Sequence, residues 1–61
     1  MPLIQVNLLA GRTHEQKQAL LGAITEAVQS SIGAPPESIR VWINEFQPTE
    51  YMVGGVLHSD R

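Results

Sequence analysis

The sequence predicts an α/β (α+β) fold built on one βαβ unit, and three observations carry that reading. Two alternating apolar stretches flank a long amphipathic segment with helix-cap signals at both ends, joined by short links. A helical crossover implies that the two strands run parallel, with a right-handed connection. Sixty-one residues hold at most one domain, expected over 1–61.

Residues 3–9, Leu-Ile-Gln-Val-Asn-Leu-Leu, form the first expected strand. Ile4, Val6 and Leu8 share one face; Leu3, Gln5, Asn7 and Leu9 share the other. Ala10-Gly11-Arg12 breaks the pattern. Thr13 and Gln16 then have capping-box spacing, the hydroxyl taking an orphan backbone donor and the amide reaching back. Leu20, Ile24, Ala27, Val28 and Ile32 recur at helical spacing, widened by Leu21, so a helix is expected over about 14–32. Gly33 suits a left-handed C-terminal residue, and Pro35 and Pro36 forbid continuation.

Residues 39–46 form the second strand. Ile39, Val41 and Ile43 face one way; Arg40, Trp42, Asn44 and Phe46 face the other. Pro48-Thr49 makes a turn, and Tyr51-Met52-Val53 is a short extended piece stopped by Gly54-Gly55. One helix covers only one face of a two-stranded sheet, so Leu3, Leu9, Trp42 and Phe46 would be left facing water. A chain this short also lacks the interior to be stable alone, and with no cysteine it cannot form a disulfide. Assembly is therefore expected, with any site shared between chains.

Composition narrows the function. Net charge is −2 with four basic residues, which leaves no nucleic-acid footprint. No apolar run approaches membrane-spanning length, and no secretory signal opens the chain, so the cytoplasm is the expected compartment. His14 and His58 are distant in sequence and have no companion ligands, so no metal site is expected. Cysteine nucleophiles, phosphate-cradling glycine loops and spaced catalytic triads are missing. The acidic residues Glu15, Glu26, Glu37 and Glu50 fall on helix or loop surfaces. Glu45 alone lies on a strand, as a partly buried, satisfied residue.

Pro2 is the distinctive candidate. Removal of Met1, expected before so small a residue, leaves a secondary amine at the start of a strand. An α-amino group titrates near ~8, and desolvation or neighbouring cations lower it further, giving a neutral base at pH 7. The plainer reading is a proline that opens a strand, where its missing donor does no harm. Arg12 lies at the mouth of the helix, Arg40 within the second strand, and Arg61 at the terminus. A strand arginine commonly serves an ion pair or an interface. Two arginines near a free amine would equally hold a small anionic substrate, since guanidinium grips carboxylate bidentately. Tyr51 is either a packing aromatic or a pocket wall.

Met1-Pro2 opening a strand, Leu9-Ala10-Gly11-Arg12 leading into a capped helix, Ala34-Pro35 ahead of Ser38-Ile39-Arg40-Val41, and an aromatic before Gly54-Gly55 resemble the 4-oxalocrotonate tautomerase family. The likeness runs over about residues 2–55. It implies a tautomerase-type βαβ unit with a short C-terminal hairpin, assembled as a hexamer. It also implies cofactor-independent conversion of 2-hydroxymuconate to 2-oxo-3-hexenedioate in the breakdown of aromatic compounds. Pro2 would be the general base, and Arg40 from a neighbouring subunit would stabilise the dienolate. Arg12 would hold the far carboxylate, and Leu9 and Tyr51 would wall the site. The chain departs from the family pattern in three places. Tyr51 stands where phenylalanine is usual, Trp42 and Phe46 are bulkier than expected, and the tail after Gly55 lacks a basic ending.

Two alternatives stand beside this reading. One is a related amino-terminal-proline enzyme, such as a dehalogenase, a decarboxylase or a biosynthetic homologue. Dehalogenase and decarboxylase relatives recruit an extra carboxylate, and none is identifiable here. The other is a non-catalytic oligomeric module that binds anions through its arginines.

Overall fold

A computed structural model describes residues 1–60; Arg61, the last residue of the expected domain, lies outside the described residues. The order is β1 (Leu3–Leu9), α1 (His14–Ile32), β2 (Arg40–Phe46), β3 (Met52–Val53) and β4 (Val56–Leu57). Short 3₁₀ turns occupy Pro36–Ser38, Pro48–Glu50 and His58–Asp60. β1 and β2 pair in parallel, with Leu3 beside Arg40 at one end and Leu9 beside Phe46 at the other.

The helix ends follow from side-chain chemistry. Thr13 Oγ1 accepts from the Gln16 N–H at 3.1 Å, and Gln16 Oε1 accepts from the Thr13 N–H at 3.0 Å. This reciprocal box satisfies two donors that the first turn would otherwise leave open. At the other end Gly33 takes φ 71°, and its N–H donates to the Gln29 carbonyl. A side chain there would be strained, so glycine stops the helix cleanly.

β2 begins at Arg40 rather than at Ile39, the start expected from the alternation. The Ile39 N–H donates to the Pro36 carbonyl at 3.1 Å, closing the 3₁₀ turn instead of entering the ladder. After β2, β3 and β4 form an antiparallel hairpin across Gly54-Gly55. Both glycines have positive φ, 58° and 83°, as a two-residue turn of this hand requires.

α1 packs against one face of the β1–β2 pair and partly covers Ile4, Val6, Leu8, Val41 and Ile43. Its own contribution is Leu20, Leu21, Ile24 and Val28. Ala27 and Ile32, expected on the same stripe, are exposed, Ile32 by 69%. Nineteen helical residues span about 28 Å, whereas a seven-residue strand spans about 23 Å. A helix that much longer than the sheet leaves its end without cover.

Among the described residues none is fully buried. The radius of gyration is 14.7 Å and the extents are 43 × 24 × 14 Å. A compact domain of this length has a radius near about 10.5 Å. The accessible surface is 4466 Å², against about 3,900 Å² for a self-contained monomer of this mass. The chain is a single helix-on-sheet layer pair with an open second face. Leu3 and Trp42 on that face are 62% and 43% exposed. Leu9 and Phe46, expected to be bare as well, are partly covered, Phe46 by the Tyr51 ring at 5.2 Å.

Candidate active site

The residues with chemical potential gather at the two ends of the β1–β2 pair. At the first end, the Arg40 N–H donates to the Pro2 carbonyl at 3.0 Å, one step before the ladder starts. Arg40 is exposed, and its Nη1 donates to the Glu37 carbonyl at 2.9 Å. Pro2 follows Met1, so its nitrogen is an amide in the full chain. Met1 itself is 80% exposed and outside the strand, where it is open to removal.

At the second end, the Ala10 N–H donates to the Phe46 carbonyl at 2.8 Å. Leu9 and Phe46 are register partners, so their side chains lie side by side on the open face. Tyr51 stacks on Phe46 with an interplanar angle of 40°, and the His58 ring lies 6.1 Å beyond it. The His58 N–H donates to the Tyr51 carbonyl at 2.8 Å, which ties the hairpin to this aromatic. Arg12 leaves the loop three residues past Leu9. It lines an open hollow of about 290 Å³ with Leu8, Gln16, Lys17 and Leu20. Lys17 pairs with Glu45 at 3.2 Å, the only ion pair among the described residues. That contact supplies the partner expected for the strand carboxylate. The lysine itself went unnoticed in the sequence, because 28 residues separate the two.

The structure thus joins the backbones of Pro2 and Arg40, while the Arg40 guanidinium turns to the Glu37 carbonyl, and it sets Leu9 and Tyr51 each beside Phe46. It does not bring Pro2 to Arg12. Seven extended residues from Pro2 to Leu9 cover roughly 23 Å, farther than a small dicarboxylate spans even with an outstretched arginine. Among the described residues no three His, Asp or Glu side chains converge as a metal would need. No helix among them is long and apolar enough to cross a membrane.

The candidate site residues therefore lie on one βαβ layer with an open sheet face, the strand-opening proline and Arg40 at one end and Arg12 at the other. The profile of the family described as "Tautomerase enzyme" matches residues 2–61. The "Probable tautomerase" of Lactiplantibacillus plantarum is 47% identical over 61 residues, covering 100% of this chain and 95% of that protein. A solved structure of the 4-oxalocrotonate tautomerase isozymes from Methylibium petroleiphilum superposes with a TM-score of 0.90 at 43% identity, covering 95% of this chain and 91% of that one. The heterohexamer 4-oxalocrotonate tautomerase from Chloroflexus aurantiacus superposes at 0.92 with 33% identity, covering 98% and 97%. The chain belongs to the tautomerase family.

Proposed function

We propose that this chain, as a single domain, is a cofactor-independent isomerase of the 4-oxalocrotonate tautomerase type. Its substrate is a small unsaturated 2-hydroxy dicarboxylate such as 2-hydroxymuconate, and its setting is cytoplasmic breakdown of aromatic compounds. Once Met1 is removed, the Pro2 nitrogen is a secondary amine with a lone pair. It takes the proton of the 2-hydroxyl, and the O–H bond breaks as the C2 carbonyl forms. The electron pair moves along the conjugated carbons, and the prolinium returns the proton to C3 or C5. Atoms and oxidation state are conserved, so no cofactor is required.

Arg40 of a neighbouring subunit faces the 2-oxo and adjacent carboxylate oxygens, where charge develops, and stabilises the dienolate. Arg12 holds the far carboxylate, charged throughout, and draws electron density toward it. Leu9 and Tyr51, which lie at the Arg12 end of β1, come to the site with Arg12 from a neighbouring chain and form an apolar wall that keeps water from the amine.

The observation that carries this reading is the separation of Pro2 from Arg12 along β1. One chain cannot present both to one small substrate, and the open sheet face needs cover in any case. A homo-oligomer, a hexamer by likeness to the relatives, meets both requirements by composing each site from several chains. The heterohexameric Chloroflexus relative supports that assembly. The test is ketonisation of 2-hydroxymuconate followed by ultraviolet absorbance, on protein whose mass shows a free Pro2. Turnover supports the assignment; a folded, processed oligomer without turnover overturns it.

A further inference from the structure

Tyr51 is the one phenol in the chain. Its ring packs against two others in tilted geometry, Phe46 at 5.2 Å and His58 at 6.1 Å. Its backbone carbonyl is tied down by the His58 N–H. The hydroxyl is different: among the described residues no hydrogen bond uses it, and Tyr51 is 43% exposed. A fixed ring with an unengaged hydroxyl is a preorganised donor.

Its position says what it would donate to. Phe46, on which Tyr51 stacks, is the register partner of Leu9, and Arg12 emerges three residues after Leu9. Tyr51 and Arg12 therefore belong to the same end of the sheet in the same chain. Arg12 takes no ion-pair partner among the described residues; in the single chain its side chain lines the hollow with Leu8 and Leu20 on the helix-covered face, so it reaches a ligand beside Tyr51 by swinging round the end of the sheet.

We propose that the Tyr51 hydroxyl is a specificity-determining donor that works with Arg12 on the far carboxylate of the substrate. The inference rests on the assignment of Arg12 given under Proposed function. A carboxylate carries about four lone-pair directions, and a guanidinium fork occupies two of them, so a phenol beside it meets an acceptor with capacity to spare. The effect is selectivity: the donor favours dienols ending in carboxylate over those ending in a methyl group.

The experiment compares processed wild type, Tyr51→Phe and Arg12→Ala on two 2-hydroxydienoates, a dicarboxylate and its monocarboxylate analogue lacking the far group. Circular dichroism and sedimentation confirm fold and assembly for each. Tyr51→Phe should lower the preference for the dicarboxylate, as a ratio of kcat/KM values, by about tenfold, mostly through KM. An unchanged ratio, whether both substrates lose equally or neither does, overturns the proposal and leaves the hydroxyl to packing or a subunit contact. Arg12→Ala separates the two levels of argument. If it collapses the ratio while Tyr51→Phe does not, the Arg12 assignment stands and the tyrosine role falls. If it too leaves the ratio untouched, the assignment and the inference built on it fall together.

Discussion

The Arg40 N–H donates to the Pro2 carbonyl at 3.0 Å, one step ahead of a parallel register that runs unbroken to Leu9 and Phe46. Arg40 enters the ladder one step behind the proline, and each later β1 residue meets its partner in sequence as far as Leu9 and Phe46. The same regularity that fixes Pro2 and Arg40 at one end carries Arg12 and Tyr51 to the other. Assembly is therefore a condition of the proposed chemistry as well as of stability.

Trp42 gives the first test of that dependence. It lies on the open face between Arg40 and Asn44, and opposite Gln5 in the register. Trp42→Glu places a charge where an apolar contact is expected, and an unpaired buried charge is strongly disfavoured. Sedimentation at micromolar concentration should show wild type several times heavier than the 6.7 kDa chain and the variant shifted toward it. Ketonisation should fall with the assembled fraction. A fully active, stably folded wild-type monomer would remove the structural premise.

The βαβ order, the span of α1 and its caps were legible because each has a local cause. Thr13, Gln16 and Gly33 act within a few residues of themselves, and the alternation in 3–9 and 39–46 needs no knowledge of the fold. What escaped depends on distant residues. Ile39 lost its place in β2 to a turn bond from Pro36, and Ile32 was left bare by a sheet shorter than the helix. Lys17 and Glu45 meet only once the crossover has formed. The candidate site residues could be proposed one by one from the sequence, but their division between two ends of the sheet needed the register.

The two arginines should separate kinetically. Arg40 engages oxygens whose charge grows in the transition state, so Arg40→Ala should lower kcat, by roughly 10²- to 10³-fold. Arg12 engages a carboxylate charged in substrate and transition state alike. Arg12→Ala should act chiefly on KM, raising it by about tenfold or more, with a smaller loss in kcat from weaker electron withdrawal. Steady-state kinetics on 2-hydroxymuconate reads both. An Arg40 variant with normal kcat and raised KM would contradict its role.

Shared sites make a stricter prediction. Arg12→Ala chains keep a working Pro2, and chains that retain Met1 keep a working Arg12. Denatured together in equal amounts and refolded, they should form mixed oligomers. If Pro2 and Arg12 of a site come from different chains, about one site in four then has both groups intact by random assortment in a symmetric oligomer. Measured as kcat/KM, activity should rise above that of either parent refolded alone. A mixture no more active than the average of its parents, with mixed assembly verified by mass, would mean that one chain supplies both groups.

The amine itself allows the most direct test. The proposed base must be unprotonated to act, so activity is lost as pH falls through its pKa and is full above it. In the proposed shared site, desolvation by a neighbouring chain's Leu9 and Tyr51 and repulsion from two guanidinium groups both disfavour the prolinium, so that pKa should lie below the ordinary ~8 of an α-amino group. The kcat/KM profile should therefore rise through one ionisation below that value. Retained Met1 turns the nitrogen into an amide with no basic lone pair, while Met1, 80% exposed, leaves the β1–β2 register undisturbed. Processed and Met-retaining proteins should then match in sedimentation and circular dichroism and differ in turnover by several orders of magnitude. Equal ketonisation rates for the two forms, with the N-terminal mass checked on each, would show that Pro2 is not the base.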